Sequence, residues 1–289
     1  MQAQQGLRHE LVPDVKKATV RIGILNRNTG KLYRQSVASG TIMATGASMI
    51  VGQVLTCAHA FIDPNPNSPH FKEPFWTWQQ GVTHPEQILW QDAGAPLLIM
   101  VGVYDSSEQA SRWAYWAELI TPLATVKELT ASPHAPHPVN QLLDLAVVRI
   151  CGSLEVTPLR FGTTADVYTV NAKHASILPV DTLPSGRPLG NPDALSSGED
   201  KITIYGWSSP HGETFMQTPD PSGILGISKG LLMSQALLHS GSSGGPAVDG
   251  EGRVVAVNSM SVLPTGQVDP NYKAYHRMVS LLRPEHGLA

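Results

Sequence analysis

The stretch "HSGSSGGPAVDG" (239–250) places Ser243 among glycines, just ahead of a strand-like run. A serine hydroxyl is a weak nucleophile at neutral pH. It needs a neighbouring base to take its proton and backbone donors to hold the oxyanion that forms. Gly241 stands two residues ahead of Ser243, so the two backbone N–H groups can converge on one point, and glycine permits the backbone angles such a turn requires. Gly244 and Gly245 leave room for chain and substrate to pass. The chemistry this suits is acyl transfer, with Ser243 as nucleophile. A base is available in "VLTCAHA" (54–60), which presents His59 at the end of an apolar run, and an acid in "LLDLAVVRI" (142–150), which presents Asp144 at the start of another. An acid set directly before a buried strand must find hydrogen-bond partners, and a histidine N–H is a natural one.

Rigid elements must carry these three side chains, and the sequence offers strands. "ATVRIGIL" (18–25), "SGTIMAT" (39–45), "SMIVGQVLTCAH" (48–59), "PLLIMVGVY" (96–104) and "DLAVVRI" (144–150) are rich in Val, Ile and Leu and bounded by Gly, Pro, Asn and Asp. "KITIYGW" (201–207), "GILGISKGLLMSQALL" (223–238), "GGPAVD" (244–249) and "GRVVAVNSM" (252–260) form a second set. Runs at this spacing suit a barrel rather than alternating strand–helix units. The chain divides near 151–158, giving expected domains at 11–154 and 155–289. Residues 107–119 read as a helix or an edge strand, and "YHRMVSLLRP" (275–284) as a short C-terminal helix ending at Pro284. Segments 62–87, 130–141 and 174–200 read as loop insertions, and loops of that length tend to be functional. A lid over the site is one role for 62–87 and 174–200.

Composition removes other classes. Among 289 residues the charged fraction is 15%, the net charge is −3, and Gly (26) and Pro (23) are plentiful. No basic stripe suits nucleic acid, and no apolar run is long enough to span a bilayer. Cys57 and Cys151 can form one disulfide or none, which mildly favours a reducing, intracellular compartment, cytoplasmic or organellar. No metal site is expected. His134 and His137 in "SPHAPHP" lack the Cys or acidic partners that would complete one, and no cofactor is implied. "FWTW" (75–78) reads as local packing.

Together these residues resemble the trypsin/chymotrypsin-fold serine proteases, nearest to the Deg/HtrA-like branch. "VLTCAHAF" is similar to the family's T-x-A-H histidine motif, "DLAVVRI" to its D-L-A-V aspartate motif, and "GSSGGPAV" with "GRVVAVNS" to its G-N-S-G-G-P motif and following strand. The resemblance spans roughly 11–284, interrupted by the insertions. It implies an all-β fold of two perpendicular Greek-key β-barrels with the site in the cleft between them. His59 and Asp144 would come from the first barrel and Ser243 from the second. It implies peptide-bond hydrolysis through an acyl-enzyme, with His59 as base and then acid, Asp144 fixing its tautomer, and the N–H groups of Gly241 and Ser243 as oxyanion hole. Polypeptide, including unfolded or damaged protein, is the implied partner, and a trimer is the family's common assembly.

Departures refine this. Ser242 stands where digestive enzymes keep the acid that pairs with a freshly cut N-terminus. Ala60 stands where their histidine motif has a cysteine, so the usual histidine-loop disulfide cannot form. The chain after Ser243 is too short for the PDZ domain common in the Deg/HtrA branch. By the family pattern Leu237, Leu238 and His239 line the primary pocket. Leu237 takes the place of the trypsin acid, which predicts a small or medium apolar residue before the scissile bond, while His239 points the other way because glutamate-specific relatives use a histidine there. The strand "AVNSM" ending near Ser259 would pair with an extended substrate. The rival reading is a catalytically inactive protease fold used as a binding or scaffold module.

Overall fold

The structure is a computed structural model that describes residues 9–32, 37–44, 52–62, 97–108, 110–120, 128–129, 141–142, 144–158, 167–174, 183–207, 215–217, 222–228, 231–234, 241–262 and 275–280. A short helix, α1 (Val12–Ala18), opens it, with Pro13 and Asp14 in the first turn and Lys16 and Lys17 in the last. Those are favourable positions for a proline and for each charge.

The first group of strands is β1 (Thr19–Asn26), β2 (Lys31–Leu32), β3 (Ala38–Ile42), β4 (Gln53–Thr56), β5 (Leu97–Asp105), β6 (Ala110–Leu119), β7 (Glu128–Leu129), β8 (Gln141–Leu142), β9 (Ala146–Pro158) and β10 (Tyr168–His174). Six of them close a ring, β1-β3-β4-β9-β6-β5, because β9 pairs with both β4 and β6 and β5 returns to β1. The second group is β11 (Lys201–Trp207), β12 (Phe215–Gln217), β13 (Ser222–Ser228), β14 (Leu231–Ser234), β15 (Pro246–Val248), β16 (Val254–Val262) and β17 (Tyr275–Ser280). It closes the same way, β11-β13-β14-β17-β16-β15, with β15 returning to β11. In each ring the fourth strand lies beside the first, which is Greek-key order. The all-β, two-barrel expectation therefore holds.

Three boundaries differ from the sequence reading. The C-terminal helix over 275–284 is a strand where it is described. β17 pairs with both β14 and β16 and supplies the sixth strand of the second ring. Closure of the barrel, which removes two sheet edges, outweighs the helical spacing of Tyr275, Met278 and Val279. Residues 110–119 are a strand, β6, but not at an edge, since it pairs with both β5 and β9. β9 runs through the expected 154/155 division and pairs antiparallel with β10, so the first sheet extends to His174.

Alternation along the strands assigns each face. Val20, Ile22 and Ile24 of β1 join Ile99 and Val101 of β5 in the main core, while Leu98 and Met100 turn outward onto Trp113, Trp116 and Leu154. Both faces of this sheet are covered, which is why its strands read as nearly continuous apolar runs. In the second barrel Ile202, Ile204, Ile224, Leu232 and Ala247 fill the interior, whereas Tyr205, Val248, Val254 and Val257 face the other way and join the first barrel's core. The seam is also polar. Trp207 donates its indole N–H to the Thr19 carbonyl at 3.1 Å, and its ring meets Phe215 edge-on at 5.2 Å.

Segment 183–200 completes the seam. Arg187 exchanges backbone hydrogen bonds with Ile42 and Ala44 of the first barrel, and Pro188 and Gly190 exchange theirs with Val254 of the second. Its described part is stitched into both barrels and is not a free lid. Residues 63–96, which hold nearly all of insertion 62–87 and "FWTW", lie outside the described residues, as do His134 and His137.

Candidate active site

The antiparallel pairing of β4 with β9 sets Thr56 opposite Ala146. His59 lies three residues beyond Thr56, on a single 3-10 turn at Ala58–Ala60, and Asp144 lies two residues before Ala146. The ladder therefore delivers both side chains to one end of the first barrel. Asp144 is 2% exposed and takes three hydrogen bonds. The backbone N–H of His59 donates to Oδ1 at 2.8 Å, the ring Nδ1–H donates to Oδ2 at 2.5 Å, and the Ser259 hydroxyl donates to Oδ2 at 2.5 Å. A buried carboxylate held by three donors is a compensated charge.

The pair sets its own ionisation. Burial alone would pull the His59 pKa down, but the Asp144 carboxylate, with smaller help from Cys57, overrides this and holds it well above the usual 6.5. Burial would push Asp144 up, and the facing His59 outweighs it, so the carboxyl stays below its usual 3.8. With Nδ1–H committed to Asp144, the neutral ring keeps its lone pair on Nε2, the nitrogen a general base must offer.

Ser243 sits half-buried on the turn before β15, and β16 holds that turn. Gly244 N–H donates to the Asn258 carbonyl at 2.6 Å, Asn258 N–H donates to Gly245 O at 2.8 Å, and the Asn258 side-chain amide donates to Ser242 Oγ at 3.0 Å. From the first barrel, Ser39 N–H donates to Ser243 O at 2.6 Å and Ser39 Oγ–H donates to Gly241 O at 2.9 Å. Gly241 has φ +92°, a left-handed conformation suited to glycine. Among the described residues, the N–H groups of Gly241 and Ser243 donate to no backbone partner. Gly244 and Gly245 do leave room, and the room is taken by the protein itself. An added Cβ would come within 2.1 Å of Ser39 O at Gly244 and 2.0 Å of Tyr205 O at Gly245.

His59, Asp144, Ser243, Gly241 and Ser259 are thus brought to one seam. Leu237, Leu238 and His239 lie outside the described residues. The Ser243 hydroxyl donates to the Ser259 carbonyl at 3.2 Å, while the ring Nε2 of His59 faces the Cys57 thiol at 3.7 Å. Nucleophile and base each hold another partner, and catalytic hydrogen bonds commonly close only around substrate.

The sequence reading missed the acid-side role of Ser259 and the cross-barrel role of Ser39. Between Asn258 and Met260 the β16–β17 register slips, leaving Ser259 as the extra residue of a bulge. A bulge re-aims a side chain, and here it sends the hydroxyl to Asp144 while the carbonyl faces Ser243. Both cysteines are free.

No curated protein matches the sequence. Among solved structures, the protease domain of MamO from Magnetospirillum magneticum, in its apo form, is similar at 17% identity with a TM-score of 0.44, over 93% of this chain and 95% of that one. The model of the trypsin-like peptidase domain matches residues 38–257, from the start of β3 to the strand behind Ser243. That span holds the histidine, the aspartate and the glycine-bound serine at the seam of the two Greek-key rings, and the chain belongs to the trypsin-like peptidase family.

Proposed function

We propose that the protein is a serine endopeptidase of the Deg/HtrA-like kind that cleaves polypeptides through an acyl-enzyme. The observation that carries this is the His59–Asp144 couple, in which a buried, triply bonded carboxylate fixes the ring so that Nε2 is the basic nitrogen. Ser243 Oγ would attack the scissile carbonyl as His59 Nε2 takes its proton. The carbonyl oxygen, now negative, would accept from Gly241 and Ser243 N–H. His59 would return the proton to the leaving amine, and water would repeat the sequence on the acyl-enzyme.

Substrate would lie along β16. That strand pairs with β17 as far as Val262 but with β15 only at Val254–Val257, so among the described residues its edge beyond Asn258, on the side of Ser243, pairs with no other strand and suits an added one. Leu237 and Leu238 support a small or medium apolar residue before the scissile bond. Unfolded protein, which can lie extended, is the substrate class this geometry suits.

One observation favours the rival reading of a protease fold used for binding. The Ser243 hydroxyl is held by the Ser259 carbonyl and not by His59. Incubation of a denatured, carboxymethylated protein with the chain and with Ser243→Ala, followed by sequencing of the fragments, separates the two. Cleavage by the wild type alone, after apolar residues, is expected. Intact substrate bound by both proteins would establish the binding module instead.

A further inference from the structure

Cys57 is the feature of the site that peptide hydrolysis does not use. It is fully buried, two residues before the base, and its Sγ lies 3.7 Å from His59 Nε2. On that side of the ring stands a soft sulfur donor, and on the other, at Nδ1, a carboxylate. The ligand-bearing atoms of Cys57, His59 and Asp144 lie within 4.8 Å of one another.

We propose that Cys57 and His59 bind a borderline-soft divalent cation of the zinc type, and that this cation switches the site off by occupying the base. This rests on the reading of His59 as general base. Tetrahedral zinc with a thiolate at about 2.3 Å and an imidazole nitrogen at about 2.0–2.1 Å sets the two donor atoms about 3.6 Å apart. The observed 3.7 Å separation is close to that edge, so a small turn of the Cys57 side chain brings both donor atoms onto one ion. Asp144 on Nδ1–H supplies the carboxylate behind a ligating histidine, which fixes the ring and leaves Nε2 directed at the metal. Thiolate with imidazole selects zinc-like ions over calcium or magnesium, which prefer oxygen. On binding, the Cys57 thiol loses its proton to solvent, and two metal bonds replace the contact between sulfur and Nε2. The imidazole keeps 22% of its side-chain surface, the side from which an ion would enter, and water would fill the remaining coordination positions.

A cation on Nε2 removes the lone pair that would take the Ser243 proton. The loss of a general base is worth about 10²–10⁴ in rate. Chelation would restore the base, so the activity of this protein would follow the free concentration of zinc-like ions.

Cobalt(II) titration of the reduced, chelator-washed full chain tests the site without needing activity. The expected result is a thiolate-to-cobalt charge-transfer band that saturates at one metal per chain and is bleached by zinc. Cys57→Ser should abolish it, Cys151→Ser should keep it, and Asp144→Asn should weaken cobalt binding about 10- to 100-fold. Absence of the band from the wild type, its survival in Cys57→Ser, or its loss in Cys151→Ser would each overturn the site. Should Cys57→Ser lack the wild-type far-ultraviolet dichroism, His59→Gln takes its place, and an unweakened cobalt affinity there overturns the site equally.

The switch is read separately, by labelling of Ser243 with a fluorophosphonate. Zinc should slow labelling of the wild type by about 10²-fold or more, reversibly by chelator. Equal labelling with and without zinc in a chain that shows the cobalt band would overturn the switch. A chain that shows the band but never labels at Ser243 contradicts the peptidase reading and leaves the metal site standing.

Discussion

Ser259 and Asp144 are joined side chain to side chain across the two barrels, at 2.5 Å. The hydroxyl comes from the bulge in β16 that also carries the carbonyl holding Ser243. One residue therefore touches both the acid and the nucleophile. Ser259→Ala removes a hydrogen bond to a buried charge, a loss of about 1.5–3 kcal/mol, which predicts a fall of about 10- to 100-fold in kcat/KM. Steady-state kinetics on an unfolded substrate measure it. A fall confined to KM would indicate that the hydroxyl serves substrate binding instead.

The raised His59 pKa predicts how activity responds to acid. The base must be neutral, so kcat/KM should fall as pH drops through a value well above 6.5. Asp144→Asn removes the charge that raises that value and leaves burial, which lowers it. The limb should move to lower pH and the plateau should drop by about 10⁴-fold as the tautomer is lost. A limb that stays in place in Asp144→Asn would contradict the assigned cause.

The same couple predicts the pH dependence of stability. His59, raised by its partner, stabilises the fold fully below 6.5 and loses that contribution as pH rises through its folded value. Asp144, lowered, contributes above 3.8 and loses its contribution as pH falls through its folded value. The pair therefore contributes most between these limits. Melting curves of wild type and His59→Ala should differ most in that window and converge on either side of it.

Ser39 is the clasp between the barrels. Besides its bonds to Gly241 and Ser243, its hydroxyl accepts the Trp207 N–H at 2.8 Å and its carbonyl accepts from Thr56 Oγ at 2.6 Å. Ser39→Ala leaves a buried N–H and a buried carbonyl unpaired, at about 1–3 kcal/mol each. A Tm lowered by several degrees, with slower Ser243 labelling, is expected. A Tm equal to wild type would show that the clasp is dispensable.

Gly244 has φ +84°, and a Cβ there would meet Ser39 O at 2.1 Å and Thr56 Oγ1 at 2.4 Å. Gly244→Ala should cost about 1–3 kcal/mol from the backbone angle alone, with the clash added. Because Gly244 follows the nucleophile, activity should fall further than stability does. Thermal melts paired with kinetics separate the two effects, and wild-type values in both would contradict this account.

The candidate site of this protein was legible in its sequence where one local pattern determines one local geometry. Gly241 and Gly244 adopt positive φ, as a turn that aims Ser243 requires, and the apolar runs at His59 and Asp144 become the paired strands β4 and β9. What depends on register was not legible. The bulge at Ser259 is one extra residue in β16, and nothing in "AVNSM" marks it. Ser39 acts through groups about 170 to 200 positions away, at Trp207 and Gly241, a separation no local pattern encodes. At 275–280 the spacing of apolar residues suits a helix, and the need of the second barrel for a sixth strand prevails. Helix α1 carries local signals, Pro13 and Asp14 in its first turn and Lys16 and Lys17 in its last, that the sequence reading missed.

The most direct measurement is treatment of the intact chain with a fluorophosphonate, with the labelled residue located by mass spectrometry and Ser243→Ala as control. The account predicts one phosphonylated residue, Ser243, with labelling lost in that variant and slowed by several orders of magnitude in His59→Ala. No label at Ser243 in the metal-free chain, or equal labelling in His59→Ala, would contradict a His59-activated Ser243.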